Sequence, residues 1–215
     1  MTAVPPLPAA VGTAMLSDCL DEAGWRHQVM HQSVGALRPG MRCAGFAATV
    51  QFAPATEAGP EPYDEMIDFL SGLGAGSVAV VATAGSTRSA YWGELFSAAA
   101  RGRGVRGVVC DGPLRDSDQI GELQFPAFAP GTRPIDYRAR MRVVGVHEPV
   151  VCAGVEVRPG DLVVGDADGV VVVPESVTKP VLAAATERAA RESSVRAELL
   201  AGATLRQVWE AHRTL

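Results

Sequence analysis

Between Cys43 and Val173 the chain consists of short apolar runs, each cut off by glycine, proline or aspartate, and that rhythm leaves few folds open. Cys43 to Phe52 is rich in small, β-branched and aromatic residues and reads as a strand of a covered sheet. Ser77 to Ala82, Val105 to Cys110, Phe125 to Ala129, Met141 to Val146, Val150 to Val157, Asp161 to Val164 and Val170 to Val173 are the other expected strands. Helical patterns punctuate the first half. Val11 to Gly24 carries an apolar stripe of Met15, Leu16, Cys19, Leu20 and Ala23, with Gly24 as its stop. Tyr63 to Leu70 presents Met66, Ile67 and Leu70, and Leu95 to Arg101 has strong helical propensity. From about Thr178 to Ala201 the pattern is one long amphipathic helix, richer in Ala, Glu and Arg than in large apolar residues and therefore expected to dock on a neighbouring subunit. This order predicts a mixed α/β fold in one domain spanning 1–215, a length suited to one core.

Composition narrows the function classes. With 47% hydrophobic and 20% charged residues, disorder and coiled coil are disfavoured. A net charge of −5 gives no global attraction to phosphate backbones or anionic lipid, so neither nucleic acid nor membrane is an expected partner. The absence of a basic leader or a long apolar run predicts a cytoplasmic protein, and the four scattered cysteines fit a reducing compartment. The run Gly72-Leu-Gly-Ala-Gly76 is preceded by a helix and followed by a strand. A dinucleotide fingerprint needs the reverse order, so a helix end and tight turn is the better account.

Chemistry concentrates around the strand ending at Cys110. Asp111-Gly-Pro-Leu-Arg-Asp116 puts two carboxylates and a guanidinium directly after it, and Glu94 opens the preceding helix. Loop acids past a strand's C-terminal end reach the crevice where α/β sheets place ligands, and the free amides of Leu95 and Phe96 suit a substrate carboxylate. Spacing alone leaves another account open, in which Asp116 caps a turn, Arg115 pairs with it at the surface and Glu94 complements a helix dipole. Elsewhere the readings are plainer. His27 and His31 follow the helix stop and do not form a zinc pair; Arg101, Arg103 and Arg106 read as a solvated face or a subunit contact; Asp166 and Asp168 read as a hairpin turn.

Trp92 to Asp116 resembles the signature of the RraA-like family, which includes class II 4-hydroxy-4-methyl-2-oxoglutarate/4-carboxy-4-hydroxy-2-oxoadipate aldolases. The signature is an acid or a glycine, twenty residues, then Arg-Asp, and Glu94 and Arg115-Asp116 have that spacing. Met15 to Gly24, Leu37 to Gly45 and Arg158 to Pro174 are similar to the family's opening helix, first turn and strand, and late strand pair. The resemblance implies a swivelling β/β/α domain with N-terminal helices and a long C-terminal helix, assembled as a homotrimer or hexamer with active sites between subunits. It implies Mg2+ or Mn2+ held by Asp116, with Glu94 reaching the metal through water, and Arg115 on the oxygen that becomes an enolate. The backbone at Gly93, Leu95 and Phe96 would hold the carboxylate of a small oxo-acid substrate. Glu192, or else Glu187, from a neighbour's terminal helix would complete the outer shell. The implied activity is cleavage of a 4-hydroxy-2-oxo acid to pyruvate, with oxaloacetate decarboxylation through the same enolate. The implied alternative is a non-enzymatic regulator that binds a ribonuclease. Where the aldolases often carry aspartate this chain has Glu94, and where some members have a further acid it has Gln119.

Elementary chemistry agrees with the metal assignment. A pyruvate enolate must be stabilised by a lysine imine or a divalent cation. The single lysine, Lys179, sits at a predicted helix start, a poor place for a desolvated imine. A hard-oxygen site with one direct carboxylate and several waters suits Mg2+ or Mn2+.

Overall fold

The computed structural model describes residues 7–57 and 59–213; the first residues of the proline-rich start lie outside them. In chain order the elements are α1 (Thr13–Glu22), β1 (Gly35–Ala36), β2 (Cys43–Pro54), α2 (Asp64–Gly72), β3 (Ser77–Ala82), α3 (Glu94–Gly102), β4 (Gly107–Cys110), α4 (Ser117–Glu122), β5 (Ala127–Ala129), β6 (Met141–Val146), β7 (Val150–Cys152), β8 (Val155–Val157), β9 (Leu162–Asp166), β10 (Gly169–Val173), α5 (Thr178–Leu200) and α6 (Leu205–His212). The mixed α/β domain is as expected. No helix among the described residues is long and apolar enough to cross a membrane.

One sheet runs β1-β5-β4-β3-β2-β9-β10, with β6 added on β2. β2, β3, β4 and β5 are parallel neighbours, and β9 and β10 complete the sheet antiparallel. The segment before β1 all but closes it into a barrel: Met30 donates to Val170 and Val172 donates to Gln28, while β1 itself pairs with β5.

Strand alternation divides the core. Val78, Val80, Val109, Phe128, Val163, Val170 and Val172 point inward, where the β7–β8 hairpin fills the lumen with Val150, Cys152, Val155 and Val157. Ala79, Val81, Val108 and Cys110 point outward under α2, α3 and α4 with Phe52, Phe69 and Trp92. Leu162, Val164, Val171 and Val173 face α1 and α5. Phe128 packs so closely across the lumen that a Cβ on Gly165 would stand 2.8 Å from its ring. Burial pushes the thiols of Cys43, Cys110 and Cys152 up, that of Cys43 to about 12, so these are inert packing groups.

Four expectations are corrected. The run Val150 to Val157 is two strands, because Ala153 (φ 47°) and Gly154 (φ 83°) make a tight turn of the primed kind that hairpins prefer. On α2 the buried partner of Met66 and Leu70 is Phe69, whereas Ile67 is 52% exposed. The short helices α4 and α6 had no counterpart in the sequence reading. The first half of α5 docks on its own chain, with Val181, Ala185 and Ala189 against α1 and the sheet. Arg188 pins that contact, lying 2.8 Å from Asp18 and 3.3 Å from Glu22.

Asp166 shows how the hairpin β9–β10 anchors α1. Its carboxylate accepts from the Thr13 amide at 2.8 Å and hydroxyl at 2.6 Å, and from the Asp168 amide at 3.0 Å. Burial pushes its pKa up, but these bonds and the Arg42 charge outweigh burial and hold it below the ordinary carboxylate range. Asp166→Ala should therefore cost about 2 kcal/mol in urea unfolding at neutral pH. Because the folded pKa is depressed, this contribution is fully present above the unfolded value of about 3.9 and fades as pH falls below it. A difference between wild type and variant that does not shrink between pH 6 and pH 3 would contradict this account.

Candidate active site

The sequence brings its reactive groups together by extending the parallel sheet past the C-terminal ends of its strands. Three loops, one after each of β3, β4 and β5, run side by side and exchange backbone hydrogen bonds. Tyr91 donates to Pro113 (3.0 Å) and Arg115 to Trp92 (2.9 Å); Leu114 donates to Gly131 (3.0 Å), Arg133 to Leu114 (2.7 Å) and Ala90 to Ile135 (2.7 Å). Each loop thereby delivers its chemistry to one place: Gly93 and Glu94 from the first, Arg115 and Asp116 from the second, Asp136 from the third.

Trp92 anchors the first loop. It is buried, stacked on Phe125 at 6.3 Å, and donates to Ser97 Oγ at 2.8 Å, which in turn donates to the Gly93 carbonyl at 3.0 Å. Gly93 is the N-cap of α3, so the second and third amides of that helix, Leu95 and Phe96, have no intrahelical acceptor. Asp116 adopts φ 57° and ψ 42°, a left-handed conformation that aspartate tolerates better than most residues, and starts α4. Its Oδ2 accepts the Glu94 amide at 3.1 Å and lies 3.6 Å from Arg115 Nε.

These groups line one cleft of about 560 Å³, together with Tyr63, Ile67, Tyr91, Trp92, Gln119, Asp136 and Tyr137. Gly93, Glu94, Leu95, Phe96, Arg115 and Asp116 are thus brought to one cleft. Asp111, in the same turn as Arg115 and Asp116, is a structural residue. Its buried carboxylate accepts from Thr83 N (2.6 Å), Thr83 Oγ1 (2.8 Å), Gly85 N (3.2 Å) and Ala153 N (3.4 Å). Within one chain Glu192 and Glu187 are not at this cleft: Glu192 accepts from Arg188 Nε at 2.8 Å, and Glu187 lines a separate groove beside α6.

The sequence reading missed Asp136 and Tyr63. Arg115 Nη1 donates to Asp136 Oδ2 at 3.0 Å, the Tyr63 hydroxyl donates to the same oxygen at 2.9 Å, and the Arg138 amide donates to Oδ1 at 2.7 Å. Burial pushes Asp136 up, but these donors outweigh it and hold the carboxyl below the usual range, so it stays charged at neutral pH. The Tyr137 hydroxyl is buried without a hydrogen-bond partner among the described residues, and burial raises its pKa. The only signal for Asp136 in the sequence was its place in a Pro-Gly loop after a strand, as Asp116 is.

Among the described residues no three His, Cys, Asp or Glu side chains converge as a metal cluster. A hard divalent cation does not require such a cluster, because Mg2+ commonly takes one or two carboxylates and keeps several waters. Asp116 offers such a carboxylate, and the missing side chain at Gly93 makes room for its Oδ2: a Cβ there would stand 2.5 Å from that oxygen.

Comparison with known proteins is consistent across sequence and structure. A family model described as RraA-like, Aldolase/RraA, matches residues 13–172. An uncharacterized protein of Methanocaldococcus jannaschii is 38% identical over 131 residues, 61% of this chain and 62% of that protein. A Halalkalibacterium halodurans protein provisionally named a 4-hydroxy-4-methyl-2-oxoglutarate aldolase is 30% identical over 184 residues, 86% of this chain and 82% of that protein. The chain spans less than two thirds of some relatives, down to 32% of a longer Legionella pneumophila protein. Among solved structures, Streptomyces coelicolor RraAS2, described as an unusual member of the RNase ES inhibitor RraA family, matches with a TM-score of 0.77 at 31% identity, covering 86% of this chain and 91% of that one.

Gly93 has extended backbone angles that any residue adopts, so the demand for glycine is purely steric. Gly93→Ala should destabilise by about 1–3 kcal/mol through overpacking against Asp116 and Arg115. In the double variant with Asp116→Gly, urea unfolding should recover about 1 kcal/mol of that loss. Strict additivity would show that the two positions do not compete for space.

Proposed function

The chain belongs to the RraA-like, Aldolase/RraA, family, and from that premise we propose that it is a divalent-metal-dependent lyase that cleaves a 4-hydroxy-2-oxo acid to pyruvate. The observation that carries this reading is the convergence of Asp116 and Arg115 on the side-chain-free face of Gly93, beside the open amides of α3. Asp116 would hold Mg2+ or Mn2+ directly and Glu94 through water. When bound, the cation supplies Lewis-acid stabilisation to an oxyanion.

The remaining work falls to the chain's own groups. The Leu95 and Phe96 amides receive the substrate carboxylate at the positive end of α3. Arg115, oriented by Asp136, presents a permanent positive charge to the 2-oxo oxygen as negative charge develops there. The C3–C4 bond breaks while the C4 hydroxyl gives up its proton, directly or through one water, to Glu94 and becomes a carbonyl. The electron pair enters the enolate, and the protonated Glu94 returns its proton to C3, directly or through the same water, to give pyruvate. Trp92, Phe96 and Tyr91 wall the cleft with apolar surface that limits water. Oxaloacetate decarboxylation uses the same enolate. We further propose a homotrimer or hexamer in which Glu192 or Glu187 of a neighbour's α5 completes the site.

The likeness to RraAS2 favours one second reading, a regulator that binds a ribonuclease. One experiment separates them: pyruvate release from oxaloacetate and 4-hydroxy-4-methyl-2-oxoglutarate, with Mg2+ or with EDTA, beside an endoribonuclease inhibition assay. The lyase reading expects EDTA to abolish release, and Arg115→Ala to lower kcat by about 100- to 1000-fold. It also expects Asp116→Ala to lose most activity. Activity indifferent to both EDTA and Asp116→Ala would overturn the metal assignment, and ribonuclease inhibition without any pyruvate release would favour the regulator.

A further inference from the structure

A divalent cation held by Asp116 would have a positive neighbour. Arg115 Nε lies 3.6 Å from Asp116 Oδ2, so a guanidinium and a dication would draw on one carboxylate. Charges of like sign that close repel, and the arginine, on its flexible stem, is the partner able to leave. A second contact keeps it in place. Arg115 Nη1 donates to Asp136 Oδ2 at 3.0 Å, the shorter of its two ion pairs, and the Asp136 side chain is 24% exposed against 40% for Asp116. Asp136 is itself fixed: the Tyr63 hydroxyl donates to the same Oδ2 at 2.9 Å and the Arg138 amide to Oδ1 at 2.7 Å.

Resting on the metal assignment of the lyase reading above, we propose that Asp136 is a positioning residue that lets Arg115 and a divalent cation occupy the cleft together. It acts through Arg115 in two ways. Its hydrogen bond fixes the guanidinium, and its charge offsets the positive charge that the cation would otherwise meet. The cleft's own balance supports this. Among the described residues lining it, Glu94, Asp116 and Asp136 set three carboxylates against the one guanidinium of Arg115, which leaves two negative charges to face a dication. Without Asp136 a single negative charge remains, and Arg115 keeps only its looser pair with Asp116. With three donors already on its two oxygens, Asp136 serves the site through its charge and its hold on Arg115 rather than as a further metal ligand.

Mn2+ affinity, measured by calorimetry at low ionic strength without substrate, tests this apart from turnover. Asp136→Asn keeps the shape but removes the charge, and should weaken Mn2+ binding by about tenfold. Adding Arg115→Ala removes the unbalanced cation and should return the affinity to within about threefold of wild type. Tyr63→Phe leaves the Asp136 charge in place while removing one donor, and should stay within about twofold of wild type. At saturating Mn2+, Asp136→Asn should lower kcat for pyruvate release by about tenfold or more, and Arg115→Ala should cost much less in that background than in the wild type. A folded Asp136→Asn variant with wild-type Mn2+ affinity overturns the proposal. So does a loss of affinity that Arg115→Ala fails to restore, or one that Tyr63→Phe reproduces. If the protein binds Mn2+ but releases no pyruvate, the lyase reading fails and the affinities alone decide the role of Asp136. A wild type that binds no Mn2+ overturns both.

Discussion

The candidate site depends on a continuation of the parallel sheet beyond its own strands. The strands β3, β4 and β5 end, but their neighbours' backbones keep pairing through residues 90–92, 113–115 and 131–136. A loop satisfies its own polar groups poorly when buried. Here the loops satisfy each other, which is why three segments distant in sequence can line a cleft and still hold side chains in fixed register. Trp92 then locks the first of these loops into the outer core, so the position of Gly93 is set by packing on Phe125 rather than by local turn preference.

On that scaffold the electrostatics are cooperative. Arg115 bridges Asp116 and Asp136, and neither acid has another side-chain cation within salt-bridge distance among the described residues. The guanidinium is therefore oriented from both sides, a cost in side-chain entropy met by the fold and not by the substrate. On the proposed lyase reading such an arrangement is preorganised for an oxyanion, because its positive charge need not turn to face one.

Much of this was legible in the sequence where the signal is local. The stripe of α1, the Val-Ala runs of β2 and β3 and the length of α5 follow from periodicity, and Glu94 with Arg115-Asp116 stands out because a single helix and strand separate them. Other features carry weaker local marks. α6 has a capping box of Thr204 and Gln207, but only eight residues follow to give it a pattern. The hairpin turn at Ala153 escapes because alanine seldom adopts positive φ, and the preference of Gly154 for it does not reveal that its neighbour shares it. Asp136 and Tyr63 meet only through topology: 73 residues separate them, and nothing in either segment announces the other.

Two aspartates five residues apart show what separates a structural carboxylate from a functional one. Asp111 and Asp116 both follow β4 and both are acidic loop residues, and in the sequence only the Arg-Asp signature sets Asp116 apart. Asp111 accepts four hydrogen bonds from three backbone amides and a hydroxyl, which uses the acceptor capacity of both its oxygens and ties β3, β4 and the β7–β8 hairpin together. Asp116 accepts one amide, from Glu94, keeps one loose ion pair and is half exposed. The residue lines the cleft, with the side-chain-free face of Gly93 against its Oδ2. A carboxylate whose bonds are all made stabilises the fold and has nothing left to offer a ligand. Asp116, held in place by one bond and a left-handed turn, retains the capacity that Asp111 has used up.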